Sequence, residues 1–142
     1  MAAAVSVFDW PVRVYYEDTD AGGVVYHSQY LNFLERARTE WLRHLGYEQT
    51  VLRDELEIVI VVHSLEIQFK KPARFNDSLI VSMFVSELGR SSIQFAQKIL
   101  RGEELLIEAK VRVACVGTQT FKPVAIPKAI LEAIIPHITE LA

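Results

Sequence analysis

The chain has 142 residues, of which 51% are hydrophobic, and a formal net charge of −3. This length suits a single domain, which we expect to span residues 1–142, with enough apolar side chains for a core. The negative charge argues against a broad basic surface for nucleic acid. Cys115 is the only cysteine, so an internal disulfide is excluded, and its apolar, strand-like surroundings favour packing over catalysis.

Two features of the sequence bear on location. The first residues, MAAAV, have no basic stretch and no long apolar segment, unlike a secretory signal peptide. The longest apolar run, residues 58–62, is far shorter than the ~20 residues that span a bilayer. We therefore expect a cytoplasmic protein without integral membrane contact.

The first part of the chain predicts a strand and then one long helix. Residues 12–16 are typical of a short strand. Apolar side chains recur at helical spacing over residues 28–45, with a broad apolar face. Ser28 is the expected N-cap, and Gly46 is the expected residue after the last turn.

The second part of the chain predicts a sheet. Residues 57–117 alternate between apolar and polar side chains, which indicates strands. Three turn-forming stretches interrupt the alternation: residues 71–77, 88–91 and 101–104. Sequential antiparallel pairing of about four strands follows. A last helix is expected to begin at Pro127 and to end or kink at Pro136. One helix and a run of strands make an α+β fold, in which the sheet must cover the apolar helix face.

The most informative segment is residues 16–28, YEDTDAGGVVYHS. Gly22 and Gly23 lack Cβ, so the backbone can adopt positive φ and another molecule can approach it closely. The amides at the helix start lack internal partners and can hold an oxygen that gains negative charge during acyl transfer. A carboxylate just upstream can attack the same carbonyl carbon or activate water. The segment therefore predicts acyl-group chemistry.

Other functions of this segment fit less well. Asp18, Asp20 and Gly23 are spaced as in a calcium loop, but Gln29 stands where calcium requires a bidentate Glu. The glycine pattern of a nucleotide-binding loop is also missing. A structural interpretation stays open, in which Asp18 or Asp20 caps backbone amides in a tight turn.

Two stretches carry a family resemblance: residues 14–27, VYYEDTDAGGVVYH, and residues 30–40, YLNFLERARTE. On these the chain resembles the YbgC-type acyl-CoA thioesterases of the hotdog superfamily, which are associated with the Tol-Pal system. The resemblance covers about residues 10–127. It implies the hotdog fold, an antiparallel sheet wrapped around one long central helix, and hydrolysis of acyl-CoA or acyl-carrier-protein thioesters. No cofactor is implied, because coenzyme A is part of the substrate.

The resemblance also implies roles for individual residues. Asp20 matches the motif aspartate and acts as nucleophile or as general base, and the sequence leaves both open. His27 is expected to orient the thioester or to protonate the leaving sulfur, and its amide, with Gly22 and Gly23, to form the oxyanion site. Tyr16 is expected to hydrogen-bond in the site, although packing explains a strand tyrosine equally well. His27 is likewise explained by a purely structural role at a helix start.

Basic residues are candidates for coenzyme A phosphates. They are Lys70, Lys71 and Arg74, and Arg90 with the neighbouring hydroxyl of Ser91 is a weaker candidate for phosphate or pantetheine. An ordinary solvated turn explains the cluster at residues 70–74 equally well. The histidines show no ligand spacing, so no metal site is expected.

Assembly and alternative functions complete these expectations. Edge strands with unpaired backbone groups predict a homodimer, and the resemblance implies a homotetramer built as a pair of dimers. Asp20 would then work beside Arg74 or Arg90 of the partner subunit. Ala21 and His27 replace the proline and tyrosine of the related 4-hydroxybenzoyl-CoA thioesterases, which disfavours an aryl substrate. A non-catalytic acyl-CoA or acyl-carrier-protein binding module and a hotdog dehydratase are the alternative functions.

Overall fold

The computed structural model describes residues 7–138. The expected absence of a signal segment concerns residues that lie mostly outside this range. Eight elements follow one another along the described chain: one strand, two helices, four strands and a last helix. They are β1 (Phe8–Arg13), α1 (Gln29–His44), α2 (Gln49–Leu56), β2 (Ile58–Phe69), β3 (Ser78–Leu88), β4 (Ser92–Arg101), β5 (Glu104–Gly117) and α3 (Lys128–Ile138).

The five strands form one antiparallel sheet in the order β1-β3-β4-β5-β2. The expected α+β class is confirmed, but sequential pairing is wrong for β2, which pairs with β5 instead of β3. The reason lies in the connections. Residues 89–91 and 102–103 make short hairpins, whereas residues 70–77 are long enough to carry the chain across the sheet end. Strands β1 and β2 are thus the two edges.

The first strand begins and ends earlier than predicted, since the sequence indicated residues 12–16. It covers Phe8–Arg13, where every second side chain is partly buried against the core. After Val14 the chain makes a 3₁₀ turn at Tyr16–Asp18, which leaves Tyr15 and Tyr16 exposed. The aromatic pair therefore belongs to the loop, and its β propensity is overridden by the turn.

Helix α1 buries one face against the sheet and ends as the sequence predicts. Its buried side chains are Tyr30, Phe33, Leu34, Ala37, Trp41 and Leu42. At its end Gly46 has φ of +100° and donates to the Arg43 carbonyl, while the Tyr47 amide donates to Leu42. These two bonds form a Schellman motif, which favours glycine at this position. Ser28 precedes the helix but makes no side-chain cap.

A buried glutamine fixes α1 on the sheet. Gln97 on β4 is fully buried, and its Nε2 donates to the Leu34 carbonyl at 3.1 Å. Its Oε1 accepts from Arg38 Nη1 at 3.0 Å. Both ends of the amide are therefore satisfied, as a buried polar group requires. These hydrogen bonds fix the position of α1 on the sheet.

Two helical segments differ from the sequence prediction. The short helix α2 was not expected, because it buries only Leu52 and gives a weak periodic signal. Helix α3 continues through Pro136 to Ile138, so the proline does not end it. Residues 139–142 of the predicted helix lie outside the described range. No helix within residues 7–138 is long and apolar enough to cross a membrane.

Candidate active site

Asp18 anchors the loop that precedes α1. Its side chain is 4% exposed, and Oδ2 accepts from the Tyr15 amide while Oδ1 accepts from Gln29 Nε2, both at 2.8 Å. Its carbonyl also accepts from the Tyr26 amide at 2.9 Å. Asp18 thus ties the start of the loop to the first residue of the helix. The structural interpretation, in which an aspartate caps loop amides, holds for this residue.

Asp20 is exposed at the tip of the same loop. Its Oδ1 accepts from the Gly22 amide at 2.8 Å, and its carbonyl accepts from the Gly23 amide at 3.0 Å. Gly23 has φ of +80°, a backbone conformation that other residues adopt only with strain. Within residues 7–138, Oδ2 of Asp20 has no hydrogen-bond partner. One carboxylate oxygen is held by the turn, and the other is available to a substrate or water.

These bonds revise the expected oxyanion site. The amides of Gly22 and Gly23 already donate to Asp20, so they are not available to a substrate oxygen in this conformation. By contrast, the His27 amide donates to no atom of the described chain. It lies two residues before the start of α1, where the helix dipole favours negative charge. His27 is therefore the expected oxyanion donor that the structure leaves free.

The His27 side chain opens onto a groove. It is exposed and packs against the Tyr26 ring, with centroids 4.4 Å apart. The groove has a volume of about 280 Å³ and runs beside α1 and the end of β2. Its lining residues are Val25, His27, Tyr30, Phe69, Lys70, Lys71 and Pro72. It can receive the chain of a thioester whose carbonyl lies near the His27 amide.

Backbone bonds join the groove's two walls. The Val25 amide donates to the Ala73 carbonyl at 2.9 Å, and the Ala73 amide donates to the Tyr30 hydroxyl at 3.0 Å. Burial raises the pKa of this phenol, so it stays protonated in the neutral range. Val24 and Arg74 also form an isolated antiparallel bridge. The acidic loop and residues 70–74 are consequently held side by side.

The expected phosphate-binding residues divide into three groups. The Lys71 ammonium pairs with Glu104 Oε2 at 3.0 Å. Lys70 and Arg74 have side chains without a hydrogen bond or ion pair in the described part of the chain. Arg90 and Ser91 lie at the other end of β3, which is 11 residues long, a span of about 35 Å. One chain therefore does not bring Arg90 and Ser91 to Asp20.

Tyr16 lies apart from the groove. Its side chain is 79% exposed, and its ring meets the edge of Phe75 with centroids 5.9 Å apart. The hydroxyl makes no hydrogen bond within residues 7–138. Packing in a strand is therefore wrong for Tyr16, and its hydrogen bond in the site stays a prediction.

Sequence reasoning missed several residues that shape the site. Tyr30 lies on the predicted apolar face of the helix, but its spacing does not predict that its hydroxyl accepts from the Ala73 amide at the groove wall. Arg101 was not singled out, yet it donates to Asp77 at 2.7 Å and to Glu104 at 2.8 Å, which braces residues 70–77. A lone arginine in a hairpin gives no sequence signal for such contacts. Among the described residues, no group of three or more His, Cys, Asp or Glu is placed to hold a metal ion.

The chain is similar in sequence to proteins of known family. A model of the Thioesterase-like superfamily matches residues 14–134. The chain belongs to that superfamily. Acyl-CoA thioesterase YbgC of Haemophilus influenzae is 49% identical over 126 residues, covering 89% of this chain and 93% of the relative. Acyl-CoA thioester hydrolase YbgC of Escherichia coli O6:H1 is 46% identical, covering 89% and 94%.

A solved thioesterase-like structure agrees with the fold. A probable thioesterase from Bartonella henselae superposes with a TM-score of 0.82 at 39% identity, covering 85% of this chain and 99% of that one. The expected YbgC resemblance and hotdog fold are confirmed.

Proposed function

We propose that the chain is an acyl-CoA thioesterase that hydrolyses the thioester to a free acid and a thiol. The observation that carries this proposal is the pairing of two groups across one loop. Within residues 7–138, Asp20 presents a carboxylate oxygen without a partner, and the His27 amide presents a donor without an acceptor just before α1. The groove that His27 lines accepts an extended substrate. The activity named for the YbgC relatives supports the same reaction.

The reaction follows from these positions. The carbonyl oxygen lies against the His27 amide, which stabilises the negative charge that develops there. In one route an Asp20 oxygen bonds to the carbonyl carbon, the C–S bond breaks, and water then hydrolyses the resulting anhydride. In the other route Asp20 takes a proton from water while the water oxygen attacks. The thiolate leaves readily, because thiols ionise near pH ~8.5, and it then takes up a proton from water or His27.

Isotope labelling distinguishes these routes. Repeated turnover in ¹⁸O-labelled water, followed by mass spectrometry of the peptide that contains Asp20, tests for covalent attack. Label in the Asp20 carboxylate identifies a nucleophile, since a general base exchanges no oxygen.

A simple assay tests the reaction itself. Thiol release from acyl-CoAs of different chain lengths should exceed the uncatalysed rate. We propose no cofactor, so activity should persist in EDTA. Absence of thiol release from every acyl-CoA and acyl-carrier-protein thioester would leave a binding module as the better account.

The assembly that we propose is a homodimer formed through β2, with a tetramer as a pair of dimers. Strand β2 is an edge, and three side chains on its core-facing side, Val62, Leu65 and Phe69, remain exposed, whereas Ile58 is buried. Val62 is 52% exposed and Phe69 is 53% exposed, although they pair with the buried Val113 and Ile107 of β5. An unpaired edge with apolar side chains favours pairing with a second copy. A cytoplasmic location and a Tol-Pal association remain predictions from the resemblance.

A further inference from the structure

Two exposed aromatic rings stand beside the acidic loop without a role in the chemistry above. Tyr16 is 79% exposed and Phe75 is 49% exposed. Their planes meet at 75° in an edge contact, with centroids 5.9 Å apart, and this pair of exposed rings is called the corner below. Burying such rings is favourable, and exposed aromatic faces are suited to stacking against another flat ring. A flat ring can stack on the face of one of these two side chains while it contacts the edge of the other.

Unpaired positive charge lies next to this corner. Arg74 directly precedes Phe75 in the chain, and its backbone bridges Val24 of the acidic loop. The Arg74 guanidinium and the Lys70 ammonium make no ion pair within the described residues. Lys71 is already paired with Glu104, and Arg13 Nη1 donates to the Asn76 carbonyl. Of these four basic residues, Arg74 beside Phe75 and Lys70 at the groove are the two without a hydrogen bond or ion pair among the described residues.

We propose that the corner formed by Tyr16 and Phe75 binds the adenine ring of acyl-CoA, with Arg74 contacting the neighbouring phosphates. This inference rests on the proposed function and gives the nucleotide end of its substrate a place. The pantetheine chain then runs from this corner along the groove toward the His27 amide. Aromatic stacking tolerates any base, and a guanidinium suits phosphate oxygens, so together they fit a purine nucleotide.

The chemistry of the patch favours a nucleotide over a second copy of the chain. The edge that a second copy would pair with is β2, which carries its own exposed apolar row. Tyr16 and Phe75 lie in the loops after β1 and β2, beside unpaired cations. An arginine that has no acidic partner among the described residues is suited to phosphate oxygens.

The test compares two substrates that differ only in the nucleotide. Acyl-CoA and the same acyl group on pantetheine are assayed with the parental protein and with Phe75→Leu, Tyr16→Leu and Tyr16→Phe. In the two leucine variants, the KM for acyl-CoA relative to that for acyl-pantetheine should rise about tenfold, since base stacking on an aromatic side chain is of this order. Tyr16→Phe keeps the ring and should keep the parental ratio. Phe121→Leu alters a ring that is 64% exposed in the loop after β5 and is the matched control.

Each other outcome overturns the inference. An unchanged KM ratio in the leucine variants would show that no base stacks there. A fall in kcat for both substrates in Tyr16→Phe would assign the hydroxyl, not the ring, to the reaction. A changed oligomeric mass in Phe75→Leu would make the patch an interface between copies. Loss confined to acyl-carrier-protein thioesters would make it a protein-docking surface.

A binding measurement separates this inference from the proposed reaction. Calorimetric titration with coenzyme A needs no turnover. If the parental protein hydrolyses no acyl-CoA, weaker coenzyme A binding by Phe75→Leu still supports the nucleotide site. Equal binding by the two proteins would overturn the site whether or not the reaction occurs.

Discussion

The buried carboxylate of Asp18 accepts a hydrogen bond from the side-chain amide of Gln29 at 2.8 Å. This bond crosses the base of the acidic loop and joins it to the first turn of α1. Asp20, the proposed reactive group, and the His27 amide, which has no acceptor among the described residues, both lie between its two ends. The geometry of the site thus depends on a residue that does not contact the substrate.

Asp18→Asn tests this anchoring. Asparagine replaces one acceptor oxygen by a donor, so either the Tyr15 amide or the Gln29 amide loses its partner. We expect the free energy of unfolding to fall by about 1–3 kcal/mol, as for a buried group left unsatisfied. Urea denaturation measures the change, with Glu17→Gln as the exposed control. Equal stability of the two variants would contradict the anchoring role.

Asp20→Asn tests the chemistry. The substitution removes the charge at nearly constant shape, and one side-chain oxygen can still accept from the Gly22 amide. Thiol release should fall at least about a hundredfold, in the range measured for loss of a catalytic acid or base. The unfolding transition should stay close to parental. Well below that transition, Asp18→Asn should retain much more activity than Asp20→Asn, and the reverse order would refute the assignment.

The basic residues beside the groove should not contribute equally. Replacing Lys70 and Arg74 by glutamine should raise the KM for acyl-CoA about three- to thirtyfold, because both charges are unpaired and charge-assisted contacts to phosphate are lost. Lys71→Gln should have a smaller effect, since Glu104 already neutralises Lys71. Steady-state kinetics at low and moderate salt measures both. Equal effects of the Lys70 and Lys71 single variants would count against the distinction.

The exposed apolar row of β2, which consists of Val62, Leu65 and Phe69, predicts a subunit interface. Val62→Lys places a charge on the row and should shift the protein from dimer to monomer, as measured by light scattering. Val51→Lys introduces the same charge at an exposed apolar position of α2 and should leave the mass unchanged. A parental protein that is already monomeric and fully active at nanomolar concentration would refute the interface.

Subunit mixing tests whether the active site is shared between chains. Within one chain, Arg90 and Asp20 lie at opposite ends of β3. Chains with Asp20→Asn and chains with Arg90→Gln are each expected to be impaired. Mixed dimers should then recover part of the activity, because one of their two composite sites is intact. Failure to recover any activity after verified exchange would place Arg90 outside the site.

The buried thiol predicts a pH dependence of stability. Burial raises the pKa of Cys115 above its ordinary value. The unfolded chain therefore loses this proton at a lower pH than the folded chain, so the free energy of unfolding falls as pH rises above ~8.5. In Cys115→Ala this decline should be shallower between about pH 8 and 10. Urea denaturation under reducing conditions measures both slopes, and identical slopes would contradict the prediction.

The sequence predicted those features that depend on local periodicity or on one residue's backbone. The face of α1 and the glycine after its last turn follow from spacing and from φ, and both are observed. The place of β2 in the sheet depends on which distant strand it meets, and alternation is the same for either partner. Local patterns therefore left the pairing of Phe69 with Ile107 undetermined.

The candidate site shows the same division. Residues 16–28 identified Asp20 and His27, because the motif is contiguous in the chain. The contact between Tyr30 and Ala73 joins segments that are distant in sequence, and no spacing rule predicts it. The sequence also did not predict the exposure of Tyr15 and Tyr16. Both have high β propensity, yet they lie in a solvent-facing turn.

The position of β2 at the sheet edge beside β5 affects the order in which the molecule can form during synthesis. Ile58 pairs with Gly117, so β2 has no partner until almost the entire sheet has left the ribosome. The hairpins β3–β4 and β4–β5 join near neighbours and can close early, whereas β2 must wait for a long loop to close. Until then the apolar row of β2 is open to other chains. Nascent chains of this protein are consequently most vulnerable to aggregation in the interval before β5 emerges.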